Sequence, residues 1–125
     1  MIPSWTDDEV YLVAVRGHSL FLQGRYAESA AIFEGLHAVR PRDLYCANAL
    51  AALYIQMGQI QRAIDILSEA LASQPDHVET RARRCEAYVI AGRHADARRD
   101  GEILRGAPDS SPARLEILLG ISRDI

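Results

Sequence analysis

At 125 residues and 49% apolar content, the chain fits one domain with enough hydrophobic side chains for a core. A net charge of −3 gives no global attraction to nucleic acid or to an anionic membrane, and no apolar run reaches the roughly 18 residues a membrane helix needs. The two cysteines, Cys46 and Cys85, stand apart with no CxxC or Cys/His spacing, which argues against zinc and against a disulfide framework and for buried, reduced thiols.

The opening MIPSWTDDEV has neither the basic start nor the apolar core of a secretory signal, so a cytoplasmic protein is expected. Thr6-Asp7-Asp8-Glu9 has the form of a capping box, in which the threonine oxygen accepts from a free backbone N–H and the glutamate reaches back. That predicts a first helix from about Thr6 to Leu22, ended at Gly24. A second runs from about Tyr26 to Val39 and stops before Pro41. Asp43 caps a third helix to Met57, Gly58 ends it, and a fourth follows from about Ile60 to Ser73 before Pro75. Asp76 is the expected cap of a fifth helix to Ala91, and after Gly92 a sixth runs from about His94 to Arg105. Ser111-Pro112 reads as the start of a capping helix over about 112–122, which would cover the last apolar face.

These elements repeat. Shifted by 34 residues, GRYAESAAIFEGLHAVRP (24–41) falls on GQIQRAIDILSEALASQP (58–75), with Gly24 over Gly58 and Pro41 over Pro75; a further step puts Gly92 over Gly58 and Ala97 over Ala63. A helix-turn-helix period of 34 resembles the tetratricopeptide repeat. The second copy carries the pattern best, in Leu50, Ala51, Tyr54, Gly58, Ala63, Leu67, Ala70 and Pro75. The first departs with Ser29 at a close-packing alanine position. The third departs with Gly101 where a bulky apolar residue belongs, which predicts a shortened or looser sixth helix. The resemblance implies an all-α domain over 1–125: three hairpins (about 10–43, 44–77 and 78–111) stacked as a right-handed superhelix, closed by the capping helix. Gly17, Ala51 and Cys85 are expected to let paired helices approach, while Tyr54 and Tyr88 fill the gaps between neighbours.

The resemblance also implies that the first helix of each hairpin lines a concave groove. Carried over position by position, its lining is Tyr11, Ala14, His18, Phe21 and Leu22, then Tyr45, Asn48, Ala52, Ile55 and Gln56, then Glu79, Ala82, Glu86, Val89 and Ile90. Relatives that clamp a C-terminal carboxylate use lysine, arginine and asparagine there. Ala14, Ala49 and Glu79 at key points argue against such a clamp. Tyrosine and phenylalanine anchors with alanine gaps suit an extended apolar peptide or an amphipathic helix. The competing reading is that these residues pack against the N-terminal segment or a second copy of the chain, giving a homodimer.

The short array and residues 26–64, with Ile32-Phe33, Leu36, Gly58 and Ala63, further resemble the small tetratricopeptide chaperones of bacterial type III secretion. That implies a non-enzymatic protein that covers an apolar segment of a secretion substrate or apparatus component. The absence of the longer N-terminal segment of translocator-holding members points equally to a smaller export-apparatus chaperone. All fourteen basic residues are arginine, as a GC-rich bacterial genome would give. The alternatives are a generic tetratricopeptide adaptor or scaffold and, more weakly, an RNA-binding helical repeat.

For RNA, Arg81, Arg83, Arg84, Arg93, Arg98 and Arg99 are the attractive feature. The interspersed Glu79, Glu86, Asp96, Asp100 and Glu102 predict solvated pairs within helices instead. No phosphate loop, nucleophile–base pair or metal-ligand spacing occurs, and His18, His37, His77 and His94 are scattered. No cofactor, metal or catalytic residue is therefore expected. Helix capping already accounts for Asp7, Asp8 and Glu9.

Overall fold

In the computed structural model residues 4–107 are described, and they form six helices and no strand. These are α1 (Asp7–Leu22), α2 (Tyr26–Val39), α3 (Leu44–Gln56), α4 (Ile60–Ser73), α5 (Val78–Ile90) and α6 (His94–Gly106). The expected capping helix at 112–122 lies outside the described residues. Two compact units divide the chain, Met1–Gln59 with α1 to α3 and Ile60–Ile125 with α4 to α6.

Local chemistry sets the helix ends. The Thr6 hydroxyl accepts from the Glu9 N–H at 3.1 Å and the Glu9 carboxylate accepts from the Thr6 N–H at 3.3 Å, a complete capping box. Asp43 accepts from the N–H groups of Tyr45 and Cys46 at the start of α3. At α5 the cap is His77, not Asp76: its Nδ1 accepts from the Thr80 N–H at 3.3 Å. The repeat explains the difference. His77 lies one period after Asp43, and the turns Arg40–Asp43 and Gln74–His77 close with equivalent hydrogen bonds of 3.1 and 3.3 Å. Residue type favours the aspartate as a cap, but the turn geometry places it one residue too early.

Gly24, Gly58 and Gly92 share φ near +75°. At each, the next residue's N–H reaches back to the third residue before the cap (Gln59 to Tyr54 O at 2.7 Å) and the glycine N–H to the second (Gly58 to Ile55 O at 3.1 Å), the Schellman pattern. A Cβ on Gly58 would touch nothing within 4 Å. Gly58→Ala therefore isolates the backbone cost of a left-handed alanine and is expected to lower the unfolding free energy by about 1 kcal/mol in a urea titration.

In unit 1, α2 packs on both α1 and α3. Its buried side chains include Leu20, Phe33, Leu36, Cys46, Leu50 and Leu53. Gly17 is needed where α1 crosses α2, because a Cβ there would lie 2.8 Å from Phe33 Cε2. Ser29, the departure from the repeat pattern, is fully buried and donates its hydroxyl to the Gly17 carbonyl at 2.7 Å. Tyr54 is also buried, and its hydroxyl donates to Glu34 at 2.9 Å, tying α3 to α2.

In unit 2, α5 packs on both α4 and α6. Leu67, Ala82, Ala87 and Leu104 are buried apolar residues, and Asp100 is buried with them. The helix continues through Gly101 to Gly106, so α6 is not shortened. Its packing rests on Ala97 and Leu104, and Gly101 faces open space. The Cys85 thiol approaches the Ala97 carbonyl at 3.4 Å, where α5 and α6 come close.

Candidate functional site

Unit 1 holds an open pocket of about 550 Å³ between the N-terminal halves of α1 and α3. Tyr11, Ala14, Val15 and His18 come from α1, where spacings of three and four residues put them on one helical face. Tyr45 and Cys46 come from the first turn of α3, which the Asp43 cap fixes in place.

Arg40 closes one end. It donates from Nη1 to Asp7 and from Nη2 to the Trp5 carbonyl, both at 2.8 Å, clasping the start of α1 to the turn before α3. Trp5 is thus held to the protein through its backbone. Tyr11 is 68% exposed and Tyr45 55% exposed, a large aromatic surface left open to water. The Tyr45 ring also meets Phe33 edge-on at 6.1 Å, so one side is supported by the core. Burial, and then the neighbouring Cys46, Asp43 and Tyr11, push the Tyr45 phenol up. The Cys46 thiol is pushed up to about 11 by burial and then by Asp43, with Arg40 acting in the opposite direction. Both groups are neutral at ordinary pH.

Of the ten expected lining residues in this unit, Tyr11, Ala14, His18 and Tyr45 meet in the pocket. Phe21 is half-buried, its ring 5.5 Å from Tyr26 and 6.4 Å from His18. Leu22 is 71% exposed and stands outside the pocket. Asn48 is buried and donates to the Leu44 carbonyl at 2.9 Å. Ala52 and Ile55 are half-buried and Gln56 exposed. Asp7, Arg40 and Asp43 line the pocket unanticipated. A repeat-position rule covers the first helix of each hairpin, whereas Arg40 and Asp43 belong to the preceding turn.

In unit 2, Glu79, Val89 and Ile90 are exposed, Ala82 is buried, and Glu86 pairs with Arg83 at 3.3 Å. The arginines behave differently from a set of solvated intrahelical pairs. Arg83–Glu86, Arg93–Asp96 and Arg99–Asp96 fit that description. Arg81 and Arg84 instead reach across to Asp100 on α6, at 2.9 and 2.6 Å, and Asp100 is buried. Arg84 and Arg93 also lie over the Tyr88 ring, 5.4 and 4.8 Å from its centroid. Of the six arginines, Arg98 alone has no ion-pair partner among the described residues. Among the described residues no cluster of His, Cys, Asp and Glu could hold a metal, and no helix is long and apolar enough to cross a membrane.

Helical hairpins at a 34-residue period, each closed by a left-handed glycine, define a helical-repeat protein. The tetratricopeptide repeat family matches over residues 20–77 and 56–99, and the chain belongs to it. Among solved structures, PcrH from Pseudomonas aeruginosa is similar with a TM-score of 0.79 and 16% identity, covering 96% of each chain. The type III secretion translocator chaperone SycD from Yersinia enterocolitica gives 0.78 and 18%, covering 94% of this chain and 92% of that one. A curated relative, the peptidyl-prolyl cis-trans isomerase PASTICCINO1 of Arabidopsis thaliana, is 27% identical over 122 residues; the match covers 85% of this chain but 19% of the relative, about a fifth of its length.

Proposed function

We propose that this protein is a chaperone that holds an apolar or helical segment of a type III secretion protein against its first helices. The observation that carries the reading is the fold similarity to PcrH and SycD, with TM-scores of 0.79 and 0.78. PcrH has been solved with the chaperone-binding region of PopB, and SycD with a peptide of the translocator YopD. The exposed rings of Tyr11 and Tyr45 supply the matching surface here. No covalent chemistry is involved. Burial of apolar area drives binding at about 25 cal/mol per Å², less the cost of ordering the segment. The fifteen expected lining residues are proposed on the same footing, with Tyr11, His18 and Tyr45 as the core of the contact and Glu79, Val89 and Ile90 as exposed positions in unit 2.

A second reading, a tetratricopeptide adaptor, draws support from the match to a short stretch of the much longer PASTICCINO1. Co-expression with hydrophobic secretion proteins of the same source separates the two. A chaperone raises the soluble yield of at least one of them, and an adaptor raises none.

With such a substrate segment in hand, Tyr11→Ala and Tyr45→Ala are each expected to weaken binding about tenfold or more, as hot-spot tyrosines do. Tyr11→Ala should barely move the thermal melt, because the ring is mostly exposed. Tyr45→Ala should lower it slightly through the lost contact with Phe33. Unchanged affinity in both variants would place the contact elsewhere.

A further inference from the structure

We propose that the open groove between α5 and α6 is the seat of the chain's own residues 112–124, which form a further first helix of the array. The groove has a volume of about 520 Å³, and its lining includes Cys85 and Val89 of α5 and Ala97, Arg98, Gly101 and Arg105 of α6. The repeat shows what it corresponds to. Two periods earlier, Ala97, Arg98 and Gly101 become Ser29, Ala30 and Phe33, all buried on α2, on which α3 packs. One period earlier they become Ala63, Ile64 and Leu67, all buried on α4, on which α5 packs. The same surface of α6 thus has the position of a seat for a following helix, and among the described residues none covers it. Arg98 and Arg105 are exposed, and a Cβ on Gly101 would meet nothing within 4 Å.

The chain supplies an occupant in phase. α3 and α5 are 13 residues each, and 112–124 is α3 moved on by two periods and α5 by one. Asp43 and His77 cap those two helices, and Ser111, a favoured N-cap type followed by proline, stands at the same place. The connections agree in length: 40–43 before α3, 74–77 before α5 and 107–111 here. The buried Ala47, Leu50 and Leu53 of α3 become Leu115, Leu118 and Ile121, so an apolar stripe falls where α3 carries its own. A polar pair carries over too. Tyr54 donates to Glu34 between α3 and α2, and two periods on Ser122 corresponds to Tyr54 and Glu102 to Glu34, again a hydroxyl and a carboxylate. Arg98 and Arg105 make this seat less apolar than the earlier ones, but their aliphatic stems can cover a helix while the guanidiniums stay in water.

Seating the segment also sets a second pair of first helices side by side within unit 2. Two periods after Tyr11, Ala14, His18 and Tyr45 of the unit 1 pocket come Glu79, Ala82, Glu86 and Ala113. The counterpart pocket therefore carries carboxylates and methyls where unit 1 carries rings.

Hydrogen–deuterium exchange on the full chain, read beside maleimide labelling of Cys85 in a Cys46→Ala background, tests the seat. Amides of 116–124 are expected to exchange about 100-fold or more slower than an unstructured chain. In the double variant Leu118→Asp, Ile121→Asp that protection should vanish and Cys85, a groove residue, should label about tenfold faster, with exchange in α1 to α3 unchanged. Asp124→Asn should change neither reading, because the equivalent Gln56 and Ile90 are both exposed. Fast exchange over 116–124 in the parent chain overturns the proposal, as does Cys85 labelling that is indifferent to the double variant. Protection that disappears on dilution overturns it in favour of the same segment from a second copy. Each of these outcomes leaves the unit 1 pocket standing.

Discussion

Arg84→Met is expected to lower the unfolding free energy by about 3 kcal/mol, the low end of the usual cost of taking a partner from a buried charge, because Arg81 still reaches Asp100. Asp100, with its side chain 2% exposed, accepts from Arg84 Nε at 2.8 Å, from Arg84 Nη2 at 2.6 Å and from Arg81 Nη1 at 2.9 Å. Arg84 also donates from Nη1 to the Ser68 hydroxyl at 3.3 Å, so one guanidinium joins all three helices of unit 2. Methionine keeps the stem and forfeits the three bonds made by Arg84, leaving Asp100 only the bond from Arg81 Nη1. Arg81 then remains alone, with its Nη2 committed to the Pro75 carbonyl at 2.9 Å.

Removing the anion instead should cost less. In Asp100→Asn the two arginine side chains, 12% and 19% exposed, keep some access to water, and the amide keeps the shape. The combination Arg81→Met, Arg84→Met and Asp100→Leu should recover much of the loss, because a packed apolar replacement avoids the desolvation of all three charges. Urea titrations of the set, read as a thermodynamic cycle, decide the matter. A loss below about 1 kcal/mol for Arg84→Met would mean that water reaches Asp100 in solution.

The pH dependence has a definite sign. The hydrogen bond to Asp100 is the largest influence on Arg84 and raises its pKa above the ordinary arginine value, with burial acting the other way. A raised pKa on a cation gives stability that is fully present below the unfolded value and lost only as pH climbs through the folded one. From the Arg84 side, stability should be flat across the neutral range and fall only in strong alkali.

The triad also marks where sequence reasoning stopped. Helix positions were legible to within a residue or two, because each boundary is written in local chemistry: a capping box at Thr6, left-handed glycines at 24, 58 and 92, and prolines after α2 and α4. Asp100 was not legible. It sits among Arg98, Arg99 and Glu102 in a run of alternating charge that reads as a solvated face, and only the rotation of α6 against α5 turns that one carboxylate inward. Ser29 is similar. The repeat pattern flags it as a departure, but the Gly17 carbonyl that explains it lies on another helix.

The pocket divides the same way. Tyr11 and Tyr45 follow from repeat position. The clasp from Arg40 to Asp7 and Trp5 spans residues 33 and 35 apart in sequence, and no periodicity connects them.

Phe33→Ala is expected to cost about 3–5 kcal/mol, the largest effect of any single truncation in unit 1. Phe33 is 2% exposed, lies where α1 crosses α2, and supports the Tyr45 ring edge-on. Its loss should therefore lower both stability and pocket affinity, whereas Tyr11→Ala lowers affinity alone. The sharper test pairs it with Gly17. A methyl on Gly17 would lie 2.8 Å from Phe33 Cε2, 3.0 Å from Ile32 Cγ2 and 3.1 Å from Phe33 Cζ, and the buried ring has little room to retreat. Gly17→Ala is thus expected to destabilise by about 1–3 kcal/mol, even though alanine is favoured over glycine within a helix by about 1 kcal/mol. In a Phe33→Leu background most of the clash is gone and the same substitution should become neutral or stabilising. The two changes then couple by about 1 kcal/mol or more. Additive behaviour of Gly17→Ala and Phe33→Leu in urea titrations would show that α1 and α2 are not held together at this crossing by the Phe33 ring.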